Sequence, residues 1–168
     1  MTSLAVHLVV SDPDSAAAWY TSALGAEETS RLTLPDGRTL TVELRIAGAT
    51  VAVAGEMPGA GMRTPASLGG TPSAFHLSVP DADAAWARAI AAGGTEFEPP
   101  HDAFWGDRTG QFLDPSGHRW ALDQHLHDVP ADEIARLAAE LFGATLPTPS
   151  EPPEPRDTTQ PAGEAAQS

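Results

Sequence analysis

The sequence predicts an α+β fold built from one βαβββ unit that occurs twice. The stretch HLVVSDPD at residues 7–14 returns as HLSVPDAD at residues 76–83, 69 residues further along the chain. Each copy has the pattern of a buried strand, an acidic helix cap and an alanine-rich helix. A repeat of this kind is typical of a supersecondary unit that was duplicated and packs against its twin.

The first copy, module one, covers about residues 3–55. Asp12 is placed to cap a helix that begins at Pro13, and Gly25 is placed to end it. A Pro-Asp-Gly turn at 35–37 predicts a hairpin between two of the following strands. The predicted elements, in order, are a strand at 4–10, a helix from Pro13 to Leu24, and strands at 28–34, 38–46 and 50–54.

The second copy, module two, repeats this order over about residues 73–127. A loop rich in glycine and proline, residues 56–72, separates the modules. Asp81 is placed to cap the second helix, and an Asp-Pro-Ser-Gly turn at 114–117 joins the last two strands. The predicted elements are a strand at 73–79, a helix at 82–92, a short strand at 95–98, and strands at 109–113 and 118–125.

Two segments follow the repeat. Residues 131–142 predict another helix, whose apolar stripe is expected to pack on the sheets or on a partner subunit. Residues 146–168 are polar and contain six prolines, a composition that predicts a disordered tail. The predicted organisation is therefore one domain over residues 1–145, followed by this tail.

The composition excludes several classes of function. The 168 residues contain no cysteine, which rules out disulfides, thiolate nucleophiles and zinc–thiolate sites. All nine basic residues are arginines, so no lysine is available for Schiff-base chemistry or a P-loop. A net charge of −14 is unfavourable for binding nucleic acid. The sequence shows neither an apolar run for a membrane span nor a secretory pattern, and we expect a cytoplasmic protein.

Four motifs carry a resemblance to a known family. They are Leu68–Pro72 (LGGTP), Phe104–Arg108 (FWGDR), Asp114-Pro115 and Gly117–Trp120 (GHRW). Together with the duplicated βαβββ order, they make residues 3–143 resemble the vicinal oxygen chelate superfamily. That superfamily includes glyoxalase I, bleomycin-resistance proteins and extradiol dioxygenases. The motifs are most similar to those of its PhnB-like branch.

The resemblance implies an open, eight-stranded, barrel-like cup that binds a small molecule, in a protein that forms a homodimer. In the metalloenzymes of the superfamily, inward-facing His and Glu residues hold a divalent ion that chelates vicinal oxygens of the substrate. Aligning the motifs places these ligand positions on Ala5, Ala74 and Ala121, with the fourth near Val53. The usual metal site is therefore missing from the sequence, and we expect no cofactor.

An alternative, displaced metal site stays open. His7, His76 and Asp123 each lie two residues beyond one of these alanines, hence on the same strand faces, and Glu56 follows the fourth strand. Such a set could bind a divalent metal, namely nickel, zinc, manganese or iron. The competing interpretation is that histidines on apolar strands are hydrogen-bonded core residues.

The last strand carries two further groups. His125 and His127 alternate with Asp123, so the three could share a face and bind a metal, although we favour the interpretation of a solvated segment or cap. Arg119 and Trp120 must point to opposite faces of the sheet. We expect Trp120 to lie in the helix-facing core.

The FWGDR motif allows two interpretations. In the first, Phe104 and Trp105 form a wall of the cup and Arg108 binds an anionic group of the ligand. In the second, Asp107 and Arg108 belong to a hydrogen-bond network that holds a long loop in place. We favour the structural interpretation.

The sequence thus predicts a small-molecule-binding protein that sequesters an antibiotic or a metabolite without the usual metal. The negative charge suits a cationic ligand. The alternative function is that of a metal-dependent lyase, isomerase or dioxygenase acting through the displaced site, or of a metal-free enzyme that uses one of its groups as a general base. The candidate ligand-binding residues are His7, His76, Phe104, Trp105, Arg108 and Asp123.

Overall fold

The computed structural model describes residues 4–143, and these form two consecutive βαβββ modules, as predicted. The predicted tail at 146–168 lies outside the described residues. The elements are β1 (Ala5–Val10), α1 (Pro13–Leu24), β2 (Glu27–Thr33), β3 (Thr39–Ile46), β4 (Ala49–Gly55), α2 (Pro65–Leu68), β5 (Ala74–Ser78), α3 (Ala82–Ala91), β6 (Thr95–Asp102), β7 (Asp107–Leu113), β8 (Arg119–His125) and α4 (Ala131–Phe142).

Each module contributes one four-stranded mixed sheet. The strand orders are β1-β4-β3-β2 and β5-β8-β7-β6, so the first strand of each module lies at an edge. That edge strand is parallel to its neighbour, whereas the remaining pairs are antiparallel. The sheets are not closed on themselves, which agrees with the expected open cup.

The helix boundaries follow from local chemistry. The Asp12 carboxylate accepts a hydrogen bond from the backbone N–H of Ser15 at 2.7 Å, and Asp81 caps α3 in the same way. Gly25 ends α1 with φ of +68°, in the left-handed region that glycine adopts without strain.

The two modules share one apolar core, which lies on the helix-covered faces of both sheets. Trp19 of α1 packs against Phe112 of module two with ring centroids 5.9 Å apart, and Tyr20 packs against Trp120 at 5.6 Å. Trp120 is buried, which confirms its expected place in the helix-facing core. We call the opposite face of each sheet its open face, because neither α1 nor α3 covers it.

β6 and the loop at 56–72 differ from the prediction, and β7 begins at Asp107 instead of residue 109. β6 continues to Asp102 instead of ending at residue 98, because it is an edge strand, where prolines 99 and 100 cost no ladder hydrogen bond. The loop at 56–72 contains a 3₁₀ turn (Pro58–Ala60) and α2. In α4 no residue is fully buried, and Leu141 on its apolar stripe is exposed.

None of the helices within residues 4–143 has both the length and the apolar character needed to cross a membrane.

Candidate functional site

The open face of module two carries a hydrogen-bonded chain of three side chains. The Asp123 carboxylate lies 2.7 Å from Nδ1 of His76 and accepts a bond from the Thr109 hydroxyl at 2.6 Å. Strand register explains the contact, because β8 lies between β5 and β7 and sets Asp123 opposite both Ser78 and Thr109. Thr109 is buried and Asp123 is mostly so, whereas the His76 side chain is 65% exposed. This hydrogen-bonded chain of side chains therefore ends at His76, whose Nε2 has no bonded partner among the described residues.

His76 lines a hollow of about 640 Å³ at the junction of the two modules, which we call the junction hollow. Module one contributes the end of its sheet around the β3–β4 turn, and module two contributes the whole of β5. Apart from His76 and Ser78, the walls are apolar, with Trp120 at one side. An apolar hollow with a few polar groups is the usual form of a small-molecule site, and this volume lies within the usual range.

The other members of the displaced metal set lie elsewhere. His7 lines a separate hollow of about 220 Å³, together with His118 and Arg63. The Glu56 carboxylate accepts bonds from the backbone N–H of Thr64 at 2.6 Å and from the Ser67 hydroxyl, and these bonds lower the pKa of Glu56. In the described part of the chain, no three His, Asp or Glu side chains are grouped to hold a metal ion. The residues present do not fit the displaced site within one chain.

The alanines that the resemblance places at the superfamily's ligand positions lie on β1, β5 and β8. Ala121 is in register with His76 on the neighbouring strand, and it is fully buried. Ala74 lines the junction hollow, and Ala5 is exposed on β1. The methyl groups give these positions no metal-binding atoms.

The FWGDR motif lies away from the junction hollow. Phe104 and Trp105 stack edge to face at 4.9 Å and line a third hollow, which α4 closes with Phe142. Arg108 instead forms ion pairs with Asp83 of α3 and Asp102 of β6, on the helix side of the sheet. The contacts of Arg108 match the structural interpretation, although its partners are these two acids instead of Asp107.

Asp107 has a different partner. Its carboxylate accepts a bond from Trp105 Nε1 at 3.1 Å and lies 3.0 Å from His125 Nδ1. The bond to Asp107, with the nearby charge of Asp128, raises the pKa of His125. β8 ends at His125, and the side chain of His127 has no bonded partner among the described residues.

A buried network that sequence reasoning missed joins the modules on the helix side. The Asp114 carboxylate accepts bonds from the Tyr20 hydroxyl, from Trp120 Nε1 at 3.2 Å and from the backbone N–H groups of Ser116 and His118. Burial alone would raise the pKa of Asp114, but the bonds from His118 and Tyr20 outweigh it and lower this pKa. Burial and the charge of Asp114 raise the pKa of Tyr20 well above its usual value.

Residues 3–122 match the family model of the Glyoxalase/Bleomycin resistance protein/Dioxygenase superfamily. The chain belongs to this superfamily. Among its relatives, an uncharacterized protein of Mycobacterium bovis is 44% identical over 135 residues, which cover 79% of this chain and 89% of that protein.

Solved structures agree with the superfamily fold. TioX from Micromonospora sp. ML1 is 27% identical with a TM-score of 0.59, over 75% of this chain and all of TioX (100%). TnmS3, an antibiotic binding protein from Streptomyces sp. CB03234, is 23% identical with a TM-score of 0.53, over 74% of this chain and 96% of TnmS3. The likeness to TnmS3 shows the shared fold alone.

Proposed function

We propose that this protein binds a small organic molecule in the junction hollow and sequesters it, as a metal-free cytoplasmic member of the superfamily. The observation that carries the proposal is the junction hollow itself, with its volume of about 640 Å³ and apolar walls that carry His76 and Ser78. TnmS3 supports it to the extent that the same fold serves an antibiotic-binding protein. The motifs FWGDR and GHRW favour the PhnB-like branch.

The ligand class follows from the lining and the charge. Trp120, Val51 and Leu77 offer apolar contacts to a flat or aliphatic body, while His76 and Ser78 offer hydrogen bonds. The net charge of −14 repels anions at long range, so a neutral or cationic antibiotic or metabolite is the expected guest.

We further propose a homodimer. The outer edge of each end strand is unpaired within residues 4–143, and α4 leaves Leu141 and Phe142 exposed beside the edge strand β6. Unpaired strand edges and exposed apolar side chains are surfaces that a second copy can cover.

A blocked-hollow variant tests the binding proposal. Bleomycin, methylglyoxal and catechol are added separately to the wild-type protein, and the unfolding temperature is measured. At least one probe should raise it, because a ligand that binds the folded state alone stabilises that state. Ala49→Trp fills the junction hollow from an exposed position on its rim and should abolish the shift.

Ala87→Trp is the matched control, since Ala87 is exposed on α3 and does not line the junction hollow. It should respond to the probe as the wild type does. A shift that is equally large in Ala49→Trp, or no shift with any probe, would contradict the proposal.

The metal-dependent alternative is not favoured by any observation of the described residues, because His7 and Glu56 lie apart from His76 and Asp123. Metal analysis of protein purified without chelators checks it directly. If the protein holds stoichiometric nickel, zinc, manganese or iron, and both His7→Ala and His76→Ala lose it, the metal-dependent enzyme becomes the proposed function in place of the binding protein.

A further inference from the structure

His76 differs from the other histidines because it combines a carboxylate partner on one ring nitrogen with an exposed ring. His118 is buried with Nδ1 against Asp114, and its ring is only 8% exposed. His125 places Nδ1 on Asp107 and Nε2 on Asp128, at 3.0 and 3.2 Å, so carboxylates occupy both of its nitrogens. Burial of the His118 ring and the two carboxylates on His125 restrict access of a bound molecule to either ring.

The remaining three histidines have no carboxylate partner at hydrogen-bond distance in the described chain. Nδ1 of His101 lies 3.3 Å from the carbonyl oxygen of Pro99, and its Nε2 is 3.7 Å from Glu98. His7 and His127 make no side-chain bond among residues 4–143. His76 therefore combines three features: a carboxylate on one nitrogen, a second nitrogen that faces no described partner, and a ring that is 65% exposed, whereas the ring of His118 is buried.

The carboxylate behind His76 is itself held in place. Thr109, which is 3% exposed, donates its hydroxyl to Oδ1 of Asp123, and the opposite oxygen, Oδ2, lies 2.7 Å from Nδ1 of His76. A carboxylate at this distance fixes the tautomer with the proton on Nδ1, which leaves a lone pair on Nε2.

We propose that His76 is a general base that removes a proton from a carbon acid bound in the junction hollow, with Asp123 and Thr109 as positioning residues. The proposal rests on the proposed binding function and adds a reaction to it. The C–H proton passes to Nε2 of His76, and the C–H electron pair stays on the ligand as an enolate or drives out a leaving group. Return of the proton to another ligand atom completes an isomerisation, and neither an oxidant nor a metal is required.

The probe for this test is 5-nitrobenzisoxazole, a flat aromatic carbon acid that reports on general bases in apolar sites. The base takes its ring C–H proton, the electron pair of that bond forms the nitrile, and the N–O bond breaks to release a coloured nitrophenolate. Wild-type protein should accelerate this reaction, and His76→Ala should lose about 100-fold or more of that acceleration. Added imidazole should restore part of the rate of His76→Ala, since free imidazole can enter the space left by the ring.

Asp123→Asn should lower kcat with little change in KM, because it disturbs the ring's tautomer and leaves the hollow unaltered. His101→Ala is the matched control, since His101 is exposed on the same module and does not line the junction hollow; it should keep the full rate. Folding of each variant is checked by its urea midpoint.

Tryptophan fluorescence in the same samples separates the two proposals. Saturable quenching that Ala49→Trp abolishes supports the binding function. If the rate of His76→Ala then equals that of the wild type, or if imidazole does not restore it, the general-base proposal is wrong and the binding function remains. Absence of both quenching and acceleration in the wild type counts against both proposals.

Discussion

The substitution Tyr20→Phe removes one hydroxyl from the shared core and leaves the aromatic ring in place. Tyr20 is 1% exposed, and its hydroxyl donates to a carboxylate 94 residues further along the chain, Asp114 of module two. That carboxylate keeps its bonds from Trp120 and from the backbone of Ser116 and His118. The variant therefore tests one charge-assisted bond between the modules.

The expected magnitude follows from the chemistry of this bond. A hydrogen bond to a charged group contributes about 1.5–3 kcal/mol to stability, and the phenyl ring introduces no steric clash. Tyr20→Phe should therefore lower the free energy of unfolding by about 2 kcal/mol. For a domain of this size, this corresponds to a fall in Tm of roughly 5–10 °C.

Urea unfolding followed by tryptophan fluorescence measures the change. Thr21→Val is the control, since the Thr21 hydroxyl bonds only to the carbonyl of Ala17 within α1. Its effect should stay within about 0.5 kcal/mol. A double-mutant cycle with Asp114→Asn should show a coupling energy of about 1 kcal/mol or more. If Tyr20→Phe unfolds at the same urea concentration as Thr21→Val, the Tyr20–Asp114 bond does not stabilise the junction.

Three further predictions follow from the described contacts. Gly106→Ala should lower the free energy of unfolding by about 2–4 kcal/mol, because φ is +98° and a Cβ would lie 2.1 Å from the carbonyl oxygen of His127. Gly48→Ala is the control, since φ is +83° but the space around it is open, and it should cost only about 1–2 kcal/mol in the same urea unfolding experiment. Arg108→Met should lower the urea midpoint slightly and leave unchanged the affinity for any probe that binds in the thermal-shift test. A loss of affinity would instead support the interpretation that Arg108 binds an anionic group of the ligand. The contribution of Asp114 to the free energy of unfolding is complete above about pH 4 and should be lost as the pH falls through the lowered folded-state pKa of Asp114. Asp114→Asn should flatten this acid part of the profile of unfolding free energy against pH.

The network also predicts an alkaline limit with the opposite sign. Because the pKa of Tyr20 is raised in the folded state, its contribution is complete below about pH 10 and is lost as the pH rises towards the folded-state pKa. Tyr20→Phe should remove this alkaline loss. A wild-type profile that is flat above pH 10 would contradict the buried position of the hydroxyl.

Much of the fold could be predicted from the sequence, because local signals decide it. α1 begins and ends where the capping side chain of Asp12 and the φ preferences of Pro13 and Gly25 require. The repeat of residues 7–14 at 76–83 predicted the second module. The predicted end of β6 at residue 98 was wrong, because prolines normally end a strand and are permitted here only by the position of β6 at a sheet edge.

The candidate site could be predicted only in part. Strand alternation placed His76 and Asp123 on one face correctly, but it could not reveal Thr109, whose contact depends on the register between β7 and β8. Nor could it show that His7 and Glu56 lie elsewhere, since that depends on how the two sheets are oriented. The Tyr20–Asp114 bond joins residues distant in sequence, and no local pattern predicts it. The absence of a cofactor, the homodimer and the cytoplasmic location stay predictions.

The packing of α1 and α3 against the sheets has an evolutionary consequence. The aromatic contacts and the Tyr20–Asp114 bond that join the modules lie on the helix-covered faces, so the open faces do not carry them. Exposed side chains of the open face that line the junction hollow, such as Ser78, can therefore change to suit a new ligand while these contacts are kept. A single scaffold of this design can acquire new specificities without first having to be restabilised.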